Sequence, residues 1–180
     1  MIGSHRLILI AAVDKNWAIG RDNKLLWHIP TDMKRFKKLT ENNIVVYGYN
    51  TLLSFPQRMI LPNRDNIILT SKIIACGDDH MQVAHSIQDV INIIESFQDK
   101  RDVFICGGAS VYKQFIDMCD LAYITHIDAA AEGADAFIPK LYSVEWKLID
   151  FSPGIHDSHS NLTIRYHTFA KKKKYKYKYK

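Results

Sequence analysis

Three cysteines in 180 residues, Cys76, Cys106 and Cys119, are too few and too scattered for the chemistry cysteine performs in groups. They are odd in number and none forms a C-x-x-C pair, which excludes a disulfide framework and a zinc site and fits a reducing cytoplasm. Long apolar runs are missing too. The run after Arg6 is too short for a signal-peptide core or a membrane span, and no cleavage site follows it, so a soluble cytoplasmic protein with no membrane partner is expected. No internal repeat occurs, and low complexity is confined to residues 171–180, KKKKYKYKYK. The formal net charge of +5 comes from that tail. Seven of the 24 Lys and Arg residues lie in it, which leaves 17 against 19 Asp and Glu and a body of charge −2. A mildly acidic body lacks the distributed basic face of a nucleic-acid-binding fold, so no specific nucleic acid is expected as partner. The tail itself reads as a disordered, solvated extension, whose charge and aromatic faces would otherwise suit RNA or anionic lipid.

What the chain does contain is an α/β alternation. Its length suits one domain with a core large enough to need no staple, and residues 1–170 are assigned to it. Residues 7–13 form a continuous apolar run, the pattern of a strand buried on both faces, and residues 44–46 repeat it. Residues 67–69, 103–106 and 121–127 are further short segments rich in branched or aromatic side chains. Helical spacing fills 30–40, 51–55, 86–97 and 110–119, whereas 146–151 and 162–169 alternate as antiparallel strands do. The expectation is an α/β fold with a mainly parallel sheet, an antiparallel C-terminal edge and four flanking helices.

The strongest chemical signal is Trp27-His28-Ile29-Pro30-Thr31-Asp32-Met33-Lys34-Arg35-Phe36. Pro30 suits a first helical position, and Met33, Phe36 and Leu39 recur at the spacing of one helical face. Asp32 shares that face, while Lys34, Arg35, Lys37 and Lys38 fall toward the opposite, solvated side. A carboxylate aimed at an apolar wall needs a partner, and burial raises its pKa. An acid in a first helical turn also serves the helix dipole with no ligand at all, so position alone leaves both readings open.

Parallel α/β sheets bind ligands at the carboxyl ends of their strands. Gly107-Gly108-Ala109-Ser110-Val111-Tyr112 follows one strand and opens a helix at once, an arrangement that admits a pyrophosphate. It lacks the G-x-G-x-x-G spacing, and the same pattern also makes a plain turn. Gly48-Tyr49-Asn50-Thr51 follows a second strand, and Thr70-Ser71-Lys72, two hydroxyls and a cation, follows a third.

Taken in order, LIAAVDKNWAIGRDNKLLW, IPTDMKRFKKLT, LPNRDNIILTS and ICGGASVYKQF followed by YITHID give a chain that resembles the dihydrofolate reductases. The resemblance implies a single eight-stranded domain without metal that reduces 7,8-dihydrofolate to tetrahydrofolate with NADPH, in support of one-carbon metabolism and thymidylate synthesis. It also implies a monomer and inhibition by diaminopyrimidine or pteridine antifolates. Hydride would pass to pterin C6, with protonation at N5 through water. Asp32 matches the acid that hydrogen-bonds the pterin amino group and N3, Thr125 the threonine that bonds that acid, and Trp27 and Leu25 their neighbours at the catalytic centre. Ile10, Ala11, Ala12, Met33, Phe36, Phe55, Leu61 and Cys106 match the substrate pocket, and Arg64 the arginine that forks onto the glutamyl α-carboxylate.

For the cofactor, the resemblance places Ala12, Ile19, Gly20 and Asn23 at the nicotinamide end, in a loop through Leu25 that closes over it. Gly48, Tyr49, Asn50, Thr51, Leu69, Thr70, Ser71 and Lys72 would surround the adenosine phosphates. Cys106, Gly107 and Gly108, with a cis peptide joining the glycines, lead into Ala109, Ser110, Val111, Tyr112 and Gln114 of the pyrophosphate helix. Four positions depart from the pattern. Tyr49 stands where Arg or Lys is usual, Leu26 where proline is usual, His28 lies beside the tryptophan, and Cys106 replaces a branched aliphatic. Lys72 is the replacement for the missing 2′-phosphate cation, with relaxed NADPH over NADH discrimination as the alternative. The runner-up function is the pyrimidine reductase of riboflavin synthesis, which shares the fold; W-x-x-P-x-D and Arg64 argue against it. A non-catalytic binding module is disfavoured by the retained Asp32, Thr125 and glycine pair.

Overall fold

Residues 1–142 and 145–172 are described by a computed structural model of the chain. Strand β1 (Leu7–Val13) is the axis of the molecule, because all of its residues except Ala12 are buried. Its side chains alternate between two cores. Leu7, Leu9, Ala11 and Val13 enter one with Val90, Ile94, Val111 and Phe115, whereas Ile8 and Ile10 enter another with Phe36, Leu39, Leu52 and Phe55. Each fully buried Leu or Ile here contributes about 1.5–3 kcal/mol.

The remaining strands are β2 (Ala18–Arg21), β3 (Lys24–Leu25), β4 (Ile44–Gly48), β5 (Asp65–Leu69), β6 (Met81–Ala84), β7 (Val103–Ile105), β8 (Leu121–Ile127), β9 (Ala136–Phe137), β10 (Trp146–Phe151), β11 (Ile155–Asp157) and β12 (Leu162–Lys171). The main sheet runs β10-β12-β8-β1-β7-β4-β5-β6, an eight-strand path from which β11 branches as a ninth strand beside β12. Pairing is parallel from β8 to β6, and β12 is antiparallel to both β8 and β10. β3, β2 and β9 form a second, small sheet.

The four expected helices are α1 (Pro30–Thr40), α2 (Tyr49–Ser54), α3 (Ile87–Ser96) and α4 (Ala109–Phe115). α4 stops earlier than its pattern suggests. Asp120, the residue before β8, is tied to Leu7 at both its N–H (2.8 Å) and its Oδ2 (3.0 Å), so residues 117–119 turn back instead of continuing the helix. The tail boundary also moves. Lys171 closes β12 opposite Trp146, and its ammonium lies 3.2 Å from an Asp117 carboxylate oxygen, so the ordered body extends past residue 170. The rest of the expected tail, residues 173–180, lies outside the described residues.

The N-terminus of α1 is capped from far away in sequence. Ile29 has no side-chain acceptor, and Asp157 of β11 supplies one, its Oδ2 accepting from Thr31 N at 3.1 Å and from Thr31 Oγ1 at 2.5 Å. The other oxygen accepts from Ser160 N and Oγ, both at 2.8 Å. These donors, Thr31 first, hold the Asp157 carboxyl below the usual carboxylate range.

Candidate active site

The carboxyl ends of β1 and β8 meet α1 at one acid. Thr125, buried on β8 directly across from Ala12 of β1, donates from Oγ1 to Asp32 Oδ1 at 2.6 Å. Burial pushes the Asp32 carboxyl up, opposed by the Thr125 hydrogen bond and by the nearby Arg35 charge. Such a group binds a flat ring that offers adjacent N–H donors, and its raised affinity for a proton suits it to a reaction that consumes one.

Arg35 corrects a reading from the sequence. It lies on the sheet side of α1, with its guanidinium 4.1 Å from the Tyr166 ring centroid and 5.8 Å from that of Tyr123. The long stem packs while the cation sits over aromatic faces, which draws it out of the solvated side that helix spacing assigns to it.

Ile10, Phe36, Phe55, Leu61 and Cys106 come together in one apolar cluster, with Tyr49 beside them. Ala12 and Trp27 meet in a smaller cluster around Ile29, Ile127 and Ile164. Ala11 does not join either, since its methyl belongs to the core on the other face of the sheet. Met33 is 39% exposed and Leu25 60% exposed. Burial pushes the Cys106 thiol up, so it stays protonated and acts as a small apolar residue.

Arg64 is buried and held from two sides, its Nε donating to Pro62 O at 2.9 Å and its Nη1 to Thr40 Oγ1 at 3.0 Å. The loop that carries it is clamped by Asn66. Asn66 Oδ1 accepts from Tyr47 OH at 2.8 Å and Leu61 N at 3.0 Å, and its Nδ2 donates to Leu61 O and Arg64 O. A guanidinium fixed in this way keeps the rest of its planar fork for a carboxylate.

A cavity of about 870 Å³ opens along the same strand ends. All the residues expected to contact the cofactor line it except Gly107, from Ala12, Ile19, Gly20 and Asn23 at one end to Leu69, Thr70, Ser71 and Lys72 at the other. Gly107 is buried beneath. Its φ of +101° suits glycine, and a Cβ there would stand 2.8 Å from the Tyr112 ring. Its carbonyl accepts from Gly48 N at 2.8 Å, its peptide to Gly108 is cis, and Tyr112 OH donates to Ile10 O at 2.7 Å. β4, β7 and β1 are thus tied together directly under the cavity floor.

Arg21, Lys24, Ser54, His85, Ser86, Asp135 and Ala136 also line the cavity and escaped the sequence reading. His85 and Ser86 follow β6, a four-residue strand with only Ala84 buried, which leaves no clear periodic signal. Asp135 matters through its loop, since its Oδ2 accepts from Asp22 N at 2.9 Å while buried Asp14 accepts from Asn16, Ala18 and Ala131 N–H groups. These bonds hold the segment after β1 against the segment after β8. Of the departing positions, Tyr49 lies under the Lys72 ammonium, 5.0 Å from ring centroid to Nζ. Leu26 lines a smaller cavity of about 420 Å³ with Trp27 and Leu25, and exposed His28 meets His159 edge-on at 5.7 Å. Among the described residues no group of three or more His, Cys, Asp or Glu side chains could hold a metal, and no helix is long and apolar enough to cross a membrane.

Fold and site together define an α/β enzyme with an extended ligand cavity along the carboxyl edge of a parallel sheet, beside a half-buried carboxylate. The family description "Dihydrofolate reductase" matches residues 6–171. Dihydrofolate reductase of Bacillus subtilis is 33% identical over 166 residues, covering 91% of this chain and 93% of its own length, and that of Staphylococcus aureus 34% over 163 residues, covering 91% and 94%. A solved structure of the Enterococcus faecalis dihydrofolate reductase, complexed with NADP(H) and RAB-propyl, superposes with a TM-score of 0.83 at 32% identity, covering 93% of this chain and 97% of that one. The chain belongs to the dihydrofolate reductase family. It is an oxidoreductase that reduces dihydrofolate with NADPH.

Proposed function

We propose that Asp32 is the group that binds and polarises the pterin, with Thr125 orienting it and Ile10, Ala12, Phe36, Phe55, Leu61 and Cys106 forming the dry wall around the rings. The observation that carries this reading is the 2.6 Å bond from buried Thr125 to a half-buried carboxyl at the strand ends. That bond occupies Asp32 Oδ1 and presents Oδ2 to the amino group and N3 of the pterin. NADPH fits the cavity on its volume and on the order of its lining, with glycine main chain in the middle and a cation at the outer end. When bound it supplies the hydride that goes to pterin C6. Asp32 accepts from the amino group and N3 at the amide edge of the ring, N5 receives its proton through water, and the apolar wall keeps the two rings aligned. Arg64 takes the glutamyl α-carboxylate. Leu25 and Trp27 border the entrance, and the loop tied down by Asp14 and Asp135 closes the nicotinamide end.

In this reading the protein works as a cytoplasmic monomer in one-carbon metabolism, and diaminopyrimidine or pteridine antifolates reach Asp32 through the same pair of N–H donors. The test is loss of reduced-nicotinamide absorbance on adding dihydrofolate. Asp32→Asn should lower turnover by about 100-fold or more while NADPH binding is retained. Near-normal turnover of the variant would remove Asp32 from the mechanism.

A further inference from the structure

One cation of α1 is drawn out of solvent. Lys34, Lys37 and Lys38 are exposed, whereas Arg35 is half-buried, as is Asp32 one turn before it. Among the described residues no acceptor or carboxylate pairs with the Arg35 guanidinium, which rests instead over the Tyr166 ring. Taking a cation out of water without an acceptor is unfavourable, and an aromatic face offsets only part of that.

The sheet sets this cation beside the acid. Asp32 and Arg35 stand at i and i+3, neighbours on one face of α1. Asp32 meets Thr125 of β8, and Arg35 meets Tyr166 of β12, the residue paired with Thr125 across the two strands. Tyr123, two positions before Thr125 and on the same face of β8, has its ring centroid 5.8 Å from the guanidinium. The titratable groups packed around the pair are Tyr112 of α4 and Tyr166 at Asp32, and Tyr166 and Tyr123 at Arg35. Burial pushes the Tyr112 and Tyr166 phenols up, so both stay neutral. Asp157 of β11 acts on Tyr166, with its two oxygens already taken by Thr31 and Ser160. Among the described residues Arg35 is thus the full charge that acts on Asp32.

We propose that Arg35 is a positioning residue for the reaction: Tyr166 holds its guanidinium beside Asp32, and that fixed positive charge keeps the acid a carboxylate in a pocket whose dryness favours the protonated form. The proposal rests on Asp32 being the group that binds the pterin. Burial pushes the Asp32 carboxyl up, while the Thr125 hydrogen bond and the Arg35 charge pull it back. The two restraints differ in kind. The hydrogen bond uses one carboxylate oxygen, whereas the charge acts through space and leaves Oδ2 for the amino group and N3. What Arg35 supplies is charge over an aromatic face and not a planar fork, so a lysine can replace it here as it cannot at Arg64.

The experiment follows the Asp32 carboxyl directly, by carbon NMR of the full chain made with carboxyl-labelled aspartate, the resonance being identified by its loss in Asp32→Asn. Its pH titration is set beside the pH profile of kcat/KM for dihydrofolate, since both read the free enzyme. Arg35→Met, which keeps an apolar stem, should raise both midpoints by about 1 pH unit, and Arg35→Lys should hold both near wild type. Arg35→Gln repeats the neutral substitution should the methionine variant fail to fold. A carboxyl titration that neither neutral variant moves would overturn the role of Arg35 and leave Asp32 as the pterin acid. Equal shifts in the lysine and neutral variants would trace the effect to packing and overturn that role too. A carboxyl titration that moves while the kcat/KM profile stays fixed would show that turnover does not read Asp32, and the proposed part of that acid would fall together with that of Arg35.

Discussion

Thr31 gives both its main-chain N–H and its hydroxyl to one oxygen of Asp157, which joins the start of α1 to β11 across 126 residues of chain. The start of the helix that carries Asp32 is therefore held by a short strand that pairs with β12. Asp32 is the next residue, so the direction of its side chain depends on this cap.

Asp157→Ala should lower Tm and raise KM for dihydrofolate, because α1 loses its N-terminal acceptor. The pH dependence has a definite sign. The folded-state pKa of Asp157 lies below its unfolded value, so its stabilisation is present above the ordinary carboxylate range, near pH 4, and fades as pH falls through the folded value. Thermal melts of wild type and Asp157→Asn should therefore differ at neutral pH and converge in acid. A constant gap across the range would show that charge plays no part in the cap.

Thr125→Val should lift the inflection that Asp32 contributes to the pH–rate profile. The Thr125 hydrogen bond favours the carboxylate, and without it burial acts less opposed. Thr125→Ser should restore the wild-type profile. The valine variant should also cost about 1 kcal/mol in stability, read from denaturant melts. An unmoved inflection would leave Thr125 as no more than a strand residue.

Arg64→Lys should raise KM for dihydrofolate about tenfold with little change in kcat, since a point charge cannot keep the contacts to Pro62 and Thr40 and still fork onto a carboxylate. A substrate lacking the glutamyl tail should discriminate far less between the two enzymes. Equal losses on both substrates would place the defect in the pocket itself.

The centre of the sheet was legible because β1 and β4 are nearly continuous apolar runs, a pattern that burial on both faces imposes. Asp32 was legible from its helical phase. Thr125 was not, since a threonine in a strand has ample reason to be there without a partner, and only the family resemblance singled it out. β2, β3, β6, β9 and β11 were missed because each has four residues or fewer and carries too little pattern to register. The cap from Asp157 and the stacking of Arg35 on Tyr166 depend on contacts distant in sequence, which periodicity cannot report.

β1 serves two structures at once, and neighbouring residues on it answer to different demands. Ile10 and Ala12 belong to the apolar clusters proposed to wall the ligand, while Leu9 and Ala11 pack in the core with α3 and α4. A substitution at Ile10 is felt by what binds, and one at Ala11 by how firmly the molecule holds together. Selection for drug escape and selection for durability can therefore act on adjacent codons with little interference. A single inserted residue would exchange the two sets and ruin both.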